Sequence, residues 1–192
     1  MPDVVGPILR WLHFLAGITW IGFLYYLNLV NVRMMASLDP SVRPVVIQAN
    51  LRRVMAWFRH AAWVTVLVGI MLAYWLYWKG GDFATSDSAK TIAMGGLLGI
   101  LMMLNVWGLI WPNQKKIIAA AQAGQAPDPK WGRTALYASR ANFTMSFPML
   151  LFMGGAVRFP MDWPMIFVTG IITAAIGFVV LFTVQKWAAP SF

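Results

Sequence analysis

An all-α, polytopic membrane helix bundle is the fold class this sequence predicts, and three observations carry the prediction. Five apolar runs recur along the chain, each about 20 residues or longer, enough to cross a hydrocarbon core of ~30 Å as a helix. None contains an Asp or Glu; the chain has no Glu at all, and its six acids are Asp residues in connections or near the start. Charged residues make up 11% of the chain, about half the share expected of a soluble domain. The absence of carboxylates from the runs removes the usual intramembrane proton relays and hard-metal ligands. The absence of Cys excludes disulfides, thiolate metal sites and covalently attached c-type haem.

The first span is placed at about 6–30. The amino end has no basic segment and enters an apolar stretch too long for a signal peptide, so this span is expected to be retained. The connection up to the second span, at about 55–78, carries two prolines and four arginines, which oppose insertion but allow a short surface helix. A polar turn leads to the third span at about 91–111, which Pro112 is expected to close. The next connection reads as helical at first and then broken by Gly124, Pro127 and Pro129. The fourth span follows at about 137–157 and, after a tight turn, the fifth at about 165–187. Short connections make neighbours antiparallel, so residues 1–192 read as one transmembrane domain.

The net charge of +9 follows the spans rather than forming one patch, which argues for a positive-inside bias and against nucleic acid. Arg33, Arg43, Arg52, Arg53, Arg59, Lys115, Lys116, Lys130, Arg133, Arg140 and Lys186 fall on one side. Arg10, Lys79, Lys90 and Arg158 fall on the other. The richer side is expected to be cytoplasmic, with the amino terminus outside and the carboxyl terminus inside. Asp3, Asp82, Asp87 and Asp162 then lie outside. Trp11, Trp57, Trp78, Trp111, Trp163 and Trp187 sit near span ends, where an aromatic belt places them.

Only two histidines are present, so their depth matters. His13 lies ~8 Å to the outer side of its span's middle and His60 ~9 Å to the cytoplasmic side of its own. Two axial nitrogens on one haem iron are only ~4 Å apart, so both histidines on one iron is not expected. His13 has Ala16, Gly17 and Thr19 nearby and would serve as a b-haem ligand; the plainer alternative is a core histidine bonded to a neighbouring helix. Met149 and Met153 are at a suitable level for a second axial ligand, although Met145, Met149 and Met153 also read as a packing stripe. At the cytoplasmic end Arg59, His60, Asn105, Trp107, Trp111, Asn113, Arg140 and Asn142 are expected to converge. That set suits haem propionates, a quinone head group or a purine anion stacked on indole. The alternative is that Arg59 and Arg140 snorkel to lipid phosphates. Asn142 is too short to do so and needs a partner inside.

The segments WLHFLAGITWIGFLYYLNLVNV, WFRHAAWVTVLVGIMLAY, LLGILMMLNVWGLIWPNQKK and SRANFTMSFPMLLFMGG resemble, in order and spacing, the membrane domain of bacterial membrane-bound urate oxidase (urate hydroxylase). The resemblance covers nearly the whole chain. More remotely, the first span is similar to those of haem-binding membrane protoporphyrinogen oxidase and copper-resistance membrane proteins. The resemblance implies a helical bundle that delivers electrons from substrate oxidation to a cytochrome c domain fused at the carboxyl end. The matching positions are His13, Trp20 and Gly22; Asn105, Trp107, Trp111, Pro112, Asn113 and Gln114; and Arg140, Asn142, Ser146, Pro148 and Met149. Long relatives continue into further spans and a CxxCH domain, whereas this chain stops at Phe192 without a Cys. Electrons are therefore expected to pass to a separate cytochrome c. A different reading is a non-catalytic subunit of a larger respiratory or photosynthetic complex, and a third is a small oxidase acting on a porphyrinogen or purine.

The charge asymmetry sets a labelling test. Cysteine introduced at Ser86 should react with an impermeant thiol reagent in intact cells and cysteine at Gln125 should not; the opposite pattern would invert the topology.

Overall fold

A computed structural model describes residues 3–79 and 86–187, with side chains described up to Thr183. Its five helices are α1 (Val5–Ser37), α2 (Arg43–Trp78), α3 (Asp87–Gln122), α4 (Pro129–Gly155) and α5 (Trp163–Trp187), and the described residues contain no strand. Asp82, in the polar turn before α3, and the side chains of Lys186 and Trp187 lie outside the described part. The five apolar runs fall on the five helices, with the fourth helix ending at Gly155. Four of them, α1, α2, α3 and α5, are long and apolar enough to cross a membrane.

The helices outrun the apolar stretches at the basic end. Residues 31–54, expected as a surface connection, continue α1 to Ser37 and begin α2 at Arg43. Pro40 falls in the intervening turn, where the Asp39 carboxylate accepts bonds from the Ser41 hydroxyl and backbone N–H, both of which hold its pKa below the usual value. Pro44 occupies the first turn of α2, where a missing N–H costs nothing. Helices of 33 and 36 residues reach about 50–54 Å, well beyond a ~30 Å hydrocarbon core. Ile47, Leu51, Val54, Ile117, Ile118 and Ala121 are buried in the surplus and join the main core. Helix packing therefore extends the helices through segments that hydropathy places outside the spans.

Pro112 does not close the third helix, contrary to the expectation from its lack of an N–H. Residues Val106–Ile110 form a π turn, and the Trp111 N–H reaches back five residues to the Val106 carbonyl. The wider turn absorbs the position at which proline cannot donate, and α3 continues to Gln122. Gly124 then ends it, with φ of 66° and with bonds from Gln125 N to Ala120 O and from Gly124 N to Ala121 O.

The arrangement is an antiparallel bundle in which α1 packs mainly on α2, and α4 touches α1, α3 and α5. Nine α4 residues are buried, among them Ser139, Asn142, Phe143, Ser146 and Phe152. Protein surrounds much of this helix, which explains how it carries amides and hydroxyls that a lipid-facing helix would not. Thr91 pins the α4–α5 connection to α3: its hydroxyl accepts from the Met161 N–H at 2.9 Å and donates to the Asp87 carbonyl.

Pro148 leaves α4 unbroken but removes the donor for the Thr144 carbonyl. Gly177 of α5 lies against that carbonyl; a Cβ there would sit 3.2 Å from the Thr144 oxygen and 2.7 Å from Phe147 Cδ2. Gly177→Ala is accordingly expected to separate α4 from α5 and destabilise the bundle by about 1–3 kcal/mol, read as a lower melting temperature in detergent. An unchanged melting temperature would show that Phe147 moves aside freely.

Candidate functional site

His13 is half-buried on α1 and faces α2. Its Nδ1 lies 3.0 Å from the carbonyl oxygen of Thr65, an acceptor only, so Nδ1 carries the proton and donates. The hydrogen bond of the ring is made by Nδ1, which leaves Nε2 with its lone pair. The ring approaches this closely because position 69 is glycine: a Cβ there would lie 2.8 Å from His13 Cε1. Thr65 turns its own hydroxyl to the Ala61 carbonyl and leaves its carbonyl to the imidazole. His60 lies about 10 Å further along α2 from the level of Thr65 and Gly69. Met149 is buried in the main core, and Met153 packs on Gly95 of α3.

The residues expected to converge at the basic end form two separate groups, with Asn113 and Arg140 apart from both and from each other. Arg59, His60, Trp107 and Trp111 meet between α2 and α3. The Arg59 guanidinium stacks 3.7 Å over the Trp111 ring, and its Nε donates to His60 Nε2 at 3.3 Å. The Trp107 indole donates to the Arg59 carbonyl, and His60 lies edge-on to Trp107. No carboxylate pairs with Arg59 among the described residues, so the group presents a net cation backed by indole.

Asn105 and Asn142 form the second group, inside the bundle. Asn105 Nδ2 donates to Asn142 Oδ1 at 2.7 Å and to the Ala138 carbonyl at 2.8 Å, while Asn142 Nδ2 donates to the Met102 carbonyl at 3.0 Å. Asn142 is fully buried, with both its amide oxygen and its amide nitrogen bonded to α3. Asn113 stands apart, donating to the Leu109 carbonyl of its own helix. Arg140 faces α5 instead, its guanidinium 6.0 Å from the Phe182 ring and its Nε buried without a partner.

Between α1 and α4 runs a polar seam that the sequence reading did not single out. Asn28 Nδ2 donates to Ser139 Oγ at 2.8 Å and to the Leu24 carbonyl, and the Tyr25 hydroxyl lies 3.1 Å from Ser146 Oγ. Both α1 residues lie at the π turn Tyr26–Asn31 or its flank. The signal was available, since the rule that singled out Asn142 applies equally to an amide in the apolar run at Asn28. Several atoms of the interior remain unpaired: Trp20 Nε1, Asn28 Oδ1, Asn31 Oδ1 and Gln114 Oε1, besides Arg140 Nε.

At the other end of the molecule an open hollow of about 480 Å³ lies between Asp3, Arg10, Trp11, Phe14 and Leu76. The Trp75 indole donates to the Asp3 carboxylate, which also accepts from the Val5 and Gly6 amides at the start of α1. The indole bond is the main cause that holds the Asp3 pKa below its usual value. Helix capping accounts for this residue, and the interior polar groups are the stronger candidates for chemistry.

Replacing Asn142 by Leu leaves Asn105 and the Met102 carbonyl without their partner, and is expected to cost about 1–2 kcal/mol of stability. Asn113→Leu, which breaks only a bond within its own helix, is expected to change little. Matched thermal unfolding of the two variants checks this, and equal effects would remove the special status of the interior pair.

The description "urate oxidase N-terminal" belongs to the family model that matches residues 83–188. The match takes in α3, α4 and α5, with the Asn105–Asn142 pair, Trp107, Trp111 and Arg140; His13, Arg59 and His60 precede it. No curated protein and no solved structure matches the chain. The matched segment is more than half of the 192 residues and carries the central helix of the bundle, and the chain belongs to the urate oxidase N-terminal family.

Proposed function

We propose that this protein is an integral membrane redox subunit that holds a b-type haem through His13 and passes electrons to a separate cytochrome c or membrane complex. The observation that carries the reading is the state of the His13 ring: Nδ1–H fixed on the Thr65 carbonyl, Nε2 left with its lone pair, and Gly69 leaving room for the imidazole. Metal-bound histidines are commonly held in this way, with one nitrogen donating to a carbonyl so that tautomer and ring plane are set for the other. Bound there, haem would supply a one-electron couple. The protein's part is to keep Nε2 free and to restrict the ring to one orientation. Arg59, stacked on Trp111 without a carboxylate, suits an anionic group such as a propionate or a lipid phosphate.

In this reading all five helices cross a bacterial inner membrane, with the amino terminus outside. α4, the helix richest in interior polar groups, crosses within the bundle because its neighbours shield it. Urate oxidation enters only as the chemistry named for the family, with this chain as its membrane-embedded electron-transfer part.

An absorption spectrum of the purified protein tests the proposal. A Soret band with a reducible α-band is expected, lost in His13→Ala and retained in His60→Ala, because His13, on α1, meets α2 at Thr65 whereas His60 lies at another level of α2. Gly69→Ala should lower haem occupancy by displacing the ring. A colourless wild-type protein would favour a non-catalytic subunit of a larger complex. Equal loss of haem in the two histidine variants would overturn the assignment of His13.

A further inference from the structure

We propose that the layer where α1, α4 and α5 meet is a binding site for the head group of a benzoquinol, separate from His13 and independent of haem. Three buried polar groups of this layer lack partners. Asn28 and Asn31 are 2% and 8% exposed, and each has an unpaired Oδ1; Arg140 adds an unpaired Nε. These groups belong together because Asn28 bonds Ser139, the residue beside Arg140, and because α5 touches both the π turn of α1 and, through Phe182, Arg140.

The mixture of orphan groups restricts the occupant. Two amide oxygens ask for donors, and a guanidinium N–H asks for an acceptor. A lipid phosphodiester has no donor to give and would face the amide oxygens with like partial charge. Phenolic hydroxyls supply the donors, and ring oxygens supply the acceptor. The walls favour a planar ring: Tyr25, Phe143 and Phe147 form an aromatic cluster next to the layer, with centroid separations of 4.8, 5.5 and 6.2 Å. Phe182 flanks Arg140 on the α5 side and, with Phe178 and Val179, is exposed, offering an apolar track for an isoprenoid tail. Asn28 and Asn31, three residues apart in the π turn Tyr26–Asn31, are both buried.

The test is equilibrium binding of a radiolabelled benzoquinol with a decyl tail to the full chain, in nanodiscs of zwitterionic lipid kept under argon. Saturable, stoichiometric binding is expected, weakened roughly tenfold or more in Arg140→Gln and in Asn31→Leu, and unchanged in Arg53→Gln, on the exposed basic end. Two independent variants keep the test decisive if one fails to fold, as judged by size-exclusion chromatography. Absence of saturable binding, or equal affinity in the folded variants and wild type, would overturn the proposal and leave the orphan atoms to ordered water. Quinol binding abolished by adding anionic phospholipid would overturn it in favour of a lipid headgroup. The spectrum that tests His13 has no bearing on either result.

Discussion

A polar group inside a membrane bundle has no water to fall back on, and the architecture around α4 follows from that constraint. This helix brings Ser139, Asn142 and Ser146 into the interior, and each has a partner on another helix: Asn28, Asn105 and Tyr25. An unpaired amide in hydrocarbon costs several kcal/mol, so these contacts fix which face of α4 meets α1 and which meets α3. Apolar packing alone would specify this rotation poorly, because Leu and lipid tails are alike in polarity. The third contact, with α5, uses shape instead: Gly177 lies on the carbonyl that Pro148 leaves free and beside the Phe147 ring. Polar pairing and close approach thus place the same helix from different sides.

Helix length shows a second competition, between local sequence and tertiary contact. Prolines and arginines mark residues 31–54 as a connection and Pro112 marks the end of the third span, yet residues 31–54 are mostly helical and α3 runs on to Gln122. The prolines fall where they do little harm: Pro40 in a turn, Pro44 in a first turn, Pro112 just after a π turn. Contacts such as Gln48 Nε2 to the Ala121 carbonyl and Asn50 Nδ2 to the Tyr26 hydroxyl then join the extended ends into one body.

The all-α class and the five helices were legible because apolar runs free of acids leave few alternatives. Asn142 was legible for a related reason, its side chain being too short to reach water. Arg140 was not, because its sequence neighbours give no sign of whether a residue near the start of the fourth apolar run faces α3 or α5. The side was decided by Ser139 and Asn142, whose partners claim the other faces. Gly69 was also overlooked, since a glycine in an apolar run reads as generic close packing until the imidazole of His13 is seen against it. The four residues Arg59, His60, Trp107 and Trp111 do meet, whereas Asn113 turns back to its own helix. Helical periodicity alone did not separate these cases.

The interior chemistry is that of neutral amides, hydroxyls and indoles with very few charges, and this bears on what the bundle can do. A carboxylate relay moves protons by changing charge, and a bundle without Glu or intramembrane Asp has no such relay. Amides and hydroxyls hold and orient neutral or singly charged partners without titrating themselves. A fixed imidazole tautomer on α1 and unpaired amide oxygens further along the same helix are both features that select a ligand by geometry. Fixed, non-titrating groups of this kind suit orienting a partner rather than moving protons, and the unpaired atoms mark interior positions whose hydrogen bonds the described residues leave unmade.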